Sequence, residues 1–310
     1  MLWKLMNSYG RNGMQITKRS SGRRSVSPYL YIAPAFFVYA VFILIPLLCA
    51  IVFSFTNYNI QNMKFTGLAN YARMLGDTKF HQALLNTLLY SFFVVAVNLV
   101  LGLLLAAILG QRWFKGSAFC RSVLYIPYIV SPIAASMIWL YLYDSKVGVI
   151  NMIMKGLGFS GKSWLLDEKT ALPCLIVMGI WQGVGYCMVV YFSALKNIPD
   201  YLYEAARIDG ASAVTQFFKI SIPLLSSTTF FLLVMTMISS FQVFAQIMVM
   251  TGGGPLSSTT TIAHQIYENA FVKYSMGYAS SQAVVLFAIV LIFTLIFFKY
   301  GNKEGDVELD

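Results

Sequence analysis

Six apolar stretches, separated by polar segments, dominate the pattern of the sequence. Each is close to the ~20 residues that a helix needs to cross the hydrocarbon core of a bilayer. Neither a fixed-period repeat nor a linker divides the chain, so one domain is expected at residues 28–300. The pattern predicts an all-α protein, a polytopic membrane bundle of six transmembrane helices at about residues 29–55, 84–109, 120–143, 171–195, 226–250 and 279–299.

Polar tails flank this domain. Residues 1–27 contain six Lys and Arg and no acidic residue, which is typical of a cytosolic N-terminal tail. A signal peptide is the alternative, but the apolar run that follows is too long and lacks a small-residue cleavage site. We therefore expect an uncleaved first helix and a second cytosolic tail at residues 301–310.

The distribution of basic residues predicts the orientation of the bundle. An even number of spans places both termini on one side of the membrane. The segments on that side carry 14 Lys and Arg, against 8 on the other side. Because cytosolic segments are enriched in Lys and Arg, both termini and the segment 196–225 are predicted to be cytosolic.

The composition supports a membrane protein and excludes other classes. A soluble domain carries roughly 25% charged residues, whereas this chain of 310 residues is 11% charged and 58% hydrophobic. Its net charge of +10 would indicate a nucleic-acid partner in a soluble protein, but here the basic residues flank apolar spans, so none is expected. The two histidines and four cysteines form neither a metal-ligand pattern nor a disulfide framework.

One polar segment, about residues 196–225, stands out from this apolar background. It is predicted to form two short helices, the first starting at Pro199 and Asp200 and ending in a left-handed cap at Gly210. The second is expected over Ala211–Ile220, ended by Pro223. An exposed element at the rim of a membrane protein is suited to docking into another protein, and a solvated linker is the alternative.

This segment also resembles the signature loop of ABC importer permeases. The shared pattern is Glu204-Ala205-Ala206, three residues, Gly210, nine residues, and then Ile220-Ser221-Ile222-Pro223; the family has Leu where Ile222 stands. Two further stretches resemble the carbohydrate-uptake branch, the maltose, raffinose and glycerol-phosphate type, and in particular its first permease. They are Ser54-Phe55-Thr56-Asn57-Tyr58 with Phe65-Thr66-Gly67-Leu68-Ala69-Asn70-Tyr71, and Thr251-Gly252-Gly253-Gly254-Pro255.

The resemblance implies a fold, a set of partners and a role for the loop. It implies the type I ABC importer permease fold in a bacterial inner membrane, surrounded by lipid. It implies a second related permease, two ATP-binding subunits, an extracytoplasmic solute-binding protein and a carbohydrate substrate. ATP and Mg would be bound by the partner ATPase, so no cofactor is expected in this chain, which would be a transport subunit and not an enzyme. The implied ATPase-coupling residues are Glu204, Ala205, Ala206, Asp209, Gly210, Phe217, Ile220 and Pro223.

Residues 156–163 match the phosphate-binding pattern G-x-x-x-x-G-K-S. That motif works only between a buried strand and a helix whose N-terminus faces the phosphates. Here it lies in a loop between two spans, on the side predicted to be extracytoplasmic. A nucleotide site is therefore not expected.

Uncharged polar residues within the spans are candidates for a substrate path. The middles of the spans carry no Asp, Glu, Lys or Arg, which argues against a proton-coupled carrier and favours a neutral or weakly charged solute. Amide groups and aromatic faces bind sugars, and hydrogen bonds between helices are the alternative role. In the fifth span, Ser239, Gln242 and Gln246 have the spacing of one helix face. The remaining candidates are Asn98, Trp181, Gln182 and Tyr186, with Gly179 and Gly183 as a packing face.

The stretch Gly252-Gly253-Gly254-Pro255 ends the fifth span as a turn, and the resemblance implies that a binding protein contacts it. Two other classes stay open at this point. One is an ATP-independent secondary carrier of a neutral solute, and the other is a membrane enzyme, for which no catalytic group stands out.

Overall fold

A computed structural model describes residues 27–59, 61–111 and 114–301 of the chain. The predicted N-terminal tail lies outside the described residues except for Ser27, and so does the predicted C-terminal tail except for Gly301. Arg112, one of the residues used in the charge comparison, is also outside them.

The described residues are helical almost throughout, which confirms the all-α class. The one strand-like pairing within them is a bridge between Thr56 and Phe65. The helices are α1 (Ser27–Tyr39, a π turn at Ala40–Leu44, and Ile45–Ser54), α2 (Ala69–Leu75), α3 (Thr78–Leu109), α4 (Ser117–Ile129), α5 (Pro132–Leu142), α6 (Val149–Gly156), α7 (Glu168–Lys196), α8 (Asp200–Ile208), α9 (Ala213–Gln216, a π turn at Phe217–Ser221, and Ile222–Leu224), α10 (Ser226–Phe241), α11 (Ala245–Met250), α12 (Ile262–Tyr267, followed by a π turn at Glu268–Val272) and α13 (Met276–Gly301).

Four of these helices, α1, α3, α7 and α13, are each long and apolar enough to cross a membrane. Two bent pairs pass the same test, α4 with α5 at 99° and α9 with α10 at 65°. The prediction of six spans therefore holds when each bent pair is counted as one span.

The third predicted span, residues 120–143, is wrong as a straight helix. Val130 and Ser131 are extended between α4 and α5, with ψ of 137° and 132°. Pro132 follows them, and a proline disfavours the helical conformation in the residue before it and lacks the N–H that would continue the helix. The carbonyl of Val130 is consequently available to a partner outside the helix, whereas that of Ser131 accepts a hydrogen bond from the N–H of Ala135 at 3.0 Å.

The fifth predicted span, residues 226–250, is also wrong as one helix. α10 ends at Phe241, and α11 begins at Ala245 after a break. The carbonyl of Val243, within the break, accepts a hydrogen bond from the hydroxyl of Thr261 at 3.0 Å. A side chain from elsewhere thus satisfies a backbone group that a continuous helix would satisfy internally.

The described residues divide into two compact units, those up to Cys49 and those from Ala50 onward. In the first, the described residues are helical, and large apolar side chains such as Phe36, Phe42 and Leu48 are exposed. The second unit contains the core. There α3 packs along α7 more extensively than any other pair of helices, and Met188, Tyr191, Leu225 and Leu232 are fully buried.

Small residues allow the helices around α7 to approach closely. A Cβ atom on Gly102 of α3 would lie 2.6 Å from the Cβ of Cys187. A Cβ on Gly185 would overlap the backbone carbonyl of Leu124 in α4. Small residues at helix interfaces are the usual means of close packing in membranes, where apolar burial provides little driving force.

Polar contacts join α2, the start of α3 and the start of α13. The hydroxyl of Tyr278 donates a hydrogen bond to Asp77 at 2.6 Å, and Arg73 lies over the Tyr278 ring at 4.3 Å. Burial acts to raise the pKa of Asp77, but hydrogen bonds from Tyr278 and from the N–H groups of Phe80 and Lys79 outweigh it, so the pKa lies below its ordinary value. The ionised carboxylate is therefore part of the folded structure.

We expect Gly185→Ala to destabilise the protein by about 1–3 kcal/mol, because the added methyl group meets backbone that cannot rotate away. Thermal unfolding in detergent measures this. Gly156→Ala is the matched control, since its Cβ would meet no atom within 4 Å. Equal midpoints for the two variants would contradict the close packing.

The lowered pKa of Asp77 predicts a loss of stability in acid. A carboxylate whose folded-state pKa is depressed stabilises the fold above its unfolded pKa of about 3.9, and this contribution is lost as the pH falls through the folded-state pKa. Thermal unfolding between pH 3 and 7 should therefore show a decline below about pH 4 that is smaller in Asp77→Asn. Asp209→Asn is the control, and a decline as large in Asp77→Asn as in the unaltered protein would refute this role.

Candidate functional site

A cavity of about 610 Å³ lies where α3 and α7 meet the two helix breaks. The lining residues are Tyr90, Val94 and Asn98 of α3, Tyr128 of α4, Pro132 of α5, Gly179, Gln182, Gly183 and Tyr186 of α7, and Met235, Thr236, Ser239, Ser240, Gln242, Val243, Phe244, Ala245 and Gln246 of the α10–α11 region. Its volume falls within the range of small-molecule sites, roughly 300–1,000 Å³.

Six of the seven candidate path residues line this cavity: Asn98, Gln182, Tyr186, Ser239, Gln242 and Gln246. Trp181 is not among the lining residues and instead lies edge-on to Trp139, with ring centroids 5.6 Å apart. Ser239, Gln242 and Gln246 do not share one helix face, because the break after Phe241 separates them. They nevertheless border the same space, and their role in a path stays a prediction.

A chain of hydrogen bonds crosses the cavity wall. The hydroxyl of Tyr90 donates to Oε1 of Gln246 at 2.7 Å, and Nε2 of Gln246 donates to Oε1 of Gln182 at 2.9 Å. Nε2 of Gln182 then donates to the carbonyl of Val130 at 3.2 Å. This carbonyl belongs to the α4–α5 break, so the chain connects four parts of the bundle. The two glutamines thus make the interhelical hydrogen bonds that were the alternative to a path role.

Two glycines of α7 make room for this arrangement. A Cβ on Gly179 would overlap the Tyr90 hydroxyl, and one on Gly183 would overlap Nδ2 of Asn98. The small-residue pair is therefore a packing face, as predicted, but polar side chains of α3 occupy it. The two glycines that let α3 approach α7 therefore also make room for the polar side chains of Tyr90 and Asn98.

Sequence reasoning missed Tyr90 and Tyr128 as lining residues. The signal for Tyr90 is its position eight residues before Asn98, which places both on one face of α3. Tyr128 has a weaker signal, because its ring reaches the cavity only through the packing of α4 on α7. There it stacks on Tyr186, with ring centroids 4.8 Å apart and planes 14° apart.

The lining leaves some polar groups without partners in the described protein. Asn98 is 2% exposed, and its Oδ1 accepts no hydrogen bond from the described residues. Ser239 and Gln242 present exposed side chains in the wall. The amide of Gln242 and the hydroxyl of Ser239 are therefore accessible to a bound solute, whereas Oδ1 of Asn98 is enclosed by protein.

The polar segment between α7 and α10 forms the first predicted helix as expected. α8 spans Asp200–Ile208, and Gly210 has a φ of +79°. The N–H of Gly210 donates to the carbonyl of Arg207 at 3.0 Å, and that of Ala211 to Ala206 at 2.8 Å. This pair of bonds is a Schellman motif, which requires a residue that tolerates the left-handed conformation.

The second predicted helix, Ala211–Ile220 with a stop at Pro223, has different bounds. α9 begins at Ala213, with Ser212 as its N-cap, and continues through Pro223 to Leu224. A π turn over Phe217–Ser221 precedes the proline, and the N–H of Ile222 donates to the carbonyl of Phe217. This wider turn changes the bonding pattern before the proline, so Pro223 does not end the helix.

The two-helix loop presents an exposed apolar surface that the sequence reasoning did not identify. Ile208 is 87% exposed, and Val214 and Phe218 are also exposed. Among the implied coupling residues, Glu204, Ala205, Asp209, Gly210 and Pro223 are exposed, and Ala206, Phe217 and Ile220 are half-buried. Large exposed apolar groups on a polar rim are typical of an interaction surface.

A hydrogen bond of 2.9 Å between the hydroxyls of Tyr203 and Ser221 joins α8 to α9. The guanidinium of Arg121 lies 3.8 Å from the centroid of the Phe192 ring, which connects the start of α4 to the last turns of α7. The two helices of the loop are thus joined to each other, and the loop follows in the chain directly after α7, which lines the cavity and contacts α4.

The Gly252–Pro255 turn is folded against its own chain. Gly253 is buried beside Thr260 and His264, and Gly252 is exposed. The hydroxyl of Thr260 donates to the carbonyl of Gly253 at 3.0 Å. Contact of these four residues with a binding protein stays a prediction.

The match to a phosphate-binding loop has no supporting context within the described residues. Gly156 ends α6, no strand precedes the motif, and the N–H of Lys162 donates to Oδ1 of Asn151 at 3.0 Å. The described part of the chain also holds no group of three or more His, Cys, Asp or Glu that suits a metal ion.

The sequence of this chain is similar to those of known membrane transport proteins. A family model described as "Binding-protein-dependent transport system inner membrane component" matches residues 98–302. The chain is 34% identical to the probable ABC transporter permease protein YurN of Bacillus subtilis strain 168, over 91% of this chain and 99% of that protein. It is 33% identical to the sn-glycerol-3-phosphate transport system permease protein UgpA of Agrobacterium fabrum, over 90% of this chain and 96% of that protein.

The fold is similar to chains in two crystal structures of a bacterial alginate ABC transporter. One, described as importing the acidic polysaccharide alginate, matches with a TM-score of 0.81 at 20% identity, over 97% of this chain and 98% of that chain. The other, in complex with an alginate pentasaccharide-bound periplasmic protein, matches with a TM-score of 0.81 at 21% identity, over 90% and 95%. At these identities the likeness concerns the fold alone, and it confirms the predicted type I ABC importer permease fold.

The bond between Tyr90 and Gln246 can be measured with a double-mutant cycle of Tyr90→Phe and Gln246→Leu. We expect a coupling free energy of about 0.6 kcal/mol, the typical value for hydrogen bonds between membrane helices. Unfolding in mixed micelles is the measurement. Ser239→Ala is the control, because this side chain is exposed in the wall, and it should leave the stability unchanged. Additive effects of the two changes would show that the bond contributes nothing.

Proposed function

Because the chain belongs to the family of binding-protein-dependent transport system inner membrane components, we propose that it forms half of the translocation path for a sugar or oligosaccharide. It is an ABC transporter permease, a membrane transport subunit and not an enzyme. The observation that carries the proposal is the uncharged polar cavity at the two helix breaks. A hydrophilic solute needs such a place within an otherwise apolar bundle.

Sugar as the solute is supported by the chemistry of the lining. Amide and hydroxyl groups match the hydroxyl groups of a sugar, which donate and accept hydrogen bonds. Aromatic rings provide an apolar surface for the C–H face of a sugar ring. The naming of one relative for sn-glycerol-3-phosphate transport and of a similar fold for alginate import agrees with solutes rich in oxygen.

Coupling to a separate ATPase is assigned to the loop formed by α8 and α9. The partner would contact the exposed apolar surface of Ile208, Val214 and Phe218, with Glu204 and Asp209 as charged groups at its edge. Motion of the loop would reach the cavity directly, since α7 precedes α8 and carries Gln182 and Tyr186. The hydrogen bond between Tyr203 and Ser221 would make α8 and α9 move together.

The complete importer in this proposal has four kinds of chain. A second, related permease completes the path, two ATP-binding subunits bind ATP and Mg, and a solute-binding protein delivers the sugar. In a bacterial inner membrane, both termini and the α8–α9 loop would face the cytosol, as the excess of Lys and Arg on that side indicates. The turn at residues 252–255 would face the binding protein. ATP-independent transport by the chain alone is the alternative, and the experiment below distinguishes the two.

We expect Glu204→Lys and Gly210→Pro each to reduce the amount of ATPase that co-purifies by about tenfold or more. The first reverses a charge at the surface, and the second places a residue with a fixed negative φ where the structure has +79°. The measurement is co-purification of the chain with the proteins of its neighbouring genes, followed by ATP-driven uptake in proteoliposomes.

Glu168→Lys and Gly158→Pro are matched controls, because Glu168 starts α7 at its far end and Gly158 has a φ of +85° with no atom close to it. Both should retain the ATPase. Normal ATPase binding and uptake by the two loop variants would refute coupling through this loop, and uptake without ATP would establish the carrier.

A further inference from the structure

We propose that the cavity accepts an uncharged sugar and rejects a sugar that carries a carboxylate or a phosphate. This inference rests on the proposed function and names the substrate class of that site. Similarity to known proteins does not indicate a preference for uncharged sugars, since one relative is named for sn-glycerol-3-phosphate and one similar fold is described for the acidic polysaccharide alginate.

The described lining of the cavity is uncharged. The described residues that line the cavity include no Lys, Arg, His, Asp or Glu. An anion that leaves water for such a site loses its hydration and finds no opposite charge, whereas a hydroxyl exchanges one set of hydrogen bonds for another. The free-energy cost of losing hydration is therefore large only for the charged solute.

The hydrogen-bonding groups that the fold leaves accessible in the wall are neutral. Gln182 and Gln246 are committed to each other and to their neighbours. By contrast, the hydroxyl of Ser239 and the amide of Gln242 are exposed in the wall. Both groups are neutral, so each can exchange hydrogen bonds with a sugar hydroxyl, and neither supplies the positive charge that would replace the water around a carboxylate or phosphate.

The stacked rings of Tyr128 and Tyr186 border the same space. The face of an aromatic ring carries partial negative charge. It is attractive to the C–H groups of a neutral sugar ring and unfavourable to an anion. The uncharged lining, the neutral hydrogen-bonding groups and the aromatic face thus select for the same class of solute.

The test separates the cavity from the binding protein by using two measurements. Equilibrium binding is measured by calorimetry on the purified complex of this chain, its partner permease and the ATPase, with the binding protein omitted. The probes are neutral trisaccharides, including galactotriose, and the matched acidic trigalacturonate. ATP-driven uptake of the same probes, with the binding protein present, reports the proposed function independently.

We expect neutral trisaccharides to bind at least about tenfold more tightly than trigalacturonate. Gln242→Lys, which places a cation in the exposed part of the wall, should raise the affinity for trigalacturonate about tenfold. Gln111→Lys, an exposed position outside this cavity, is the matched control and should change neither affinity.

A second pair of variants tests the aromatic surface. Tyr128→Leu should weaken the binding of the neutral probe two- to tenfold, about the range of a single aromatic contact. Tyr141→Leu, an exposed tyrosine of α5 that does not line the cavity, should have no effect.

Binding of trigalacturonate to the unaltered complex as tightly as its neutral counterpart would overturn the inference while ATP-driven sugar uptake upheld the proposed function. An unchanged affinity for trigalacturonate in Gln242→Lys would also overturn it. A complex that shows no ATP-driven uptake of any sugar would overturn the proposed function and the inference together.

Discussion

The close contact between α3 and α7 is the constraint on which the rest of this molecule depends. Inside a membrane, a polar side chain must find its partner within the protein, because no water replaces a missing hydrogen bond. Gly179 and Gly183 bring the two helices near enough for Tyr90 and Asn98 to lie against α7. Any larger residue in place of these glycines would separate the two helices and displace the polar side chains of α3.

That contact also organises the cavity. Tyr90 reaches Gln246, which reaches Gln182, which in turn holds the carbonyl of Val130 at the α4–α5 break. The polar groups that are satisfied by one another hold the wall in place, and those left over face the cavity. Within a continuous helix, the backbone carbonyls accept hydrogen bonds from N–H groups of the same helix. The two breaks leave carbonyls for side chains of other helices, and this allows a polar site inside an apolar core. Because α7 continues into the α8–α9 loop, the same helix joins the cavity to the proposed docking surface.

Much of the fold was accessible from hydrophobic patterning, and much of the site was not. The long apolar stretches that became α3, α7 and α13 needed only length and composition to be recognised. The break after Phe241 was missed because Val243 and Phe244 are as apolar as their neighbours, and the hydroxyl of Thr261 stabilises the break from a distant position in the chain. Pro223 was read as a helix end because a proline usually is one, and the preceding π turn overrode that preference.

The sequence by itself determined the class of the protein: apolar length set the spans, and the Glu204–Pro223 pattern identified the family, which the family match confirmed. It also marked six residues that the structure gathers around one cavity. Only the tertiary structure decided which of these amides are committed to other helices, that Trp181 lies apart from them, and that Tyr90 and Tyr128 belong with them. The physical reason is that spacing along a helix fixes which face a side chain occupies, whereas its partner depends on how closely another helix approaches, and that depends on residues far away in the chain.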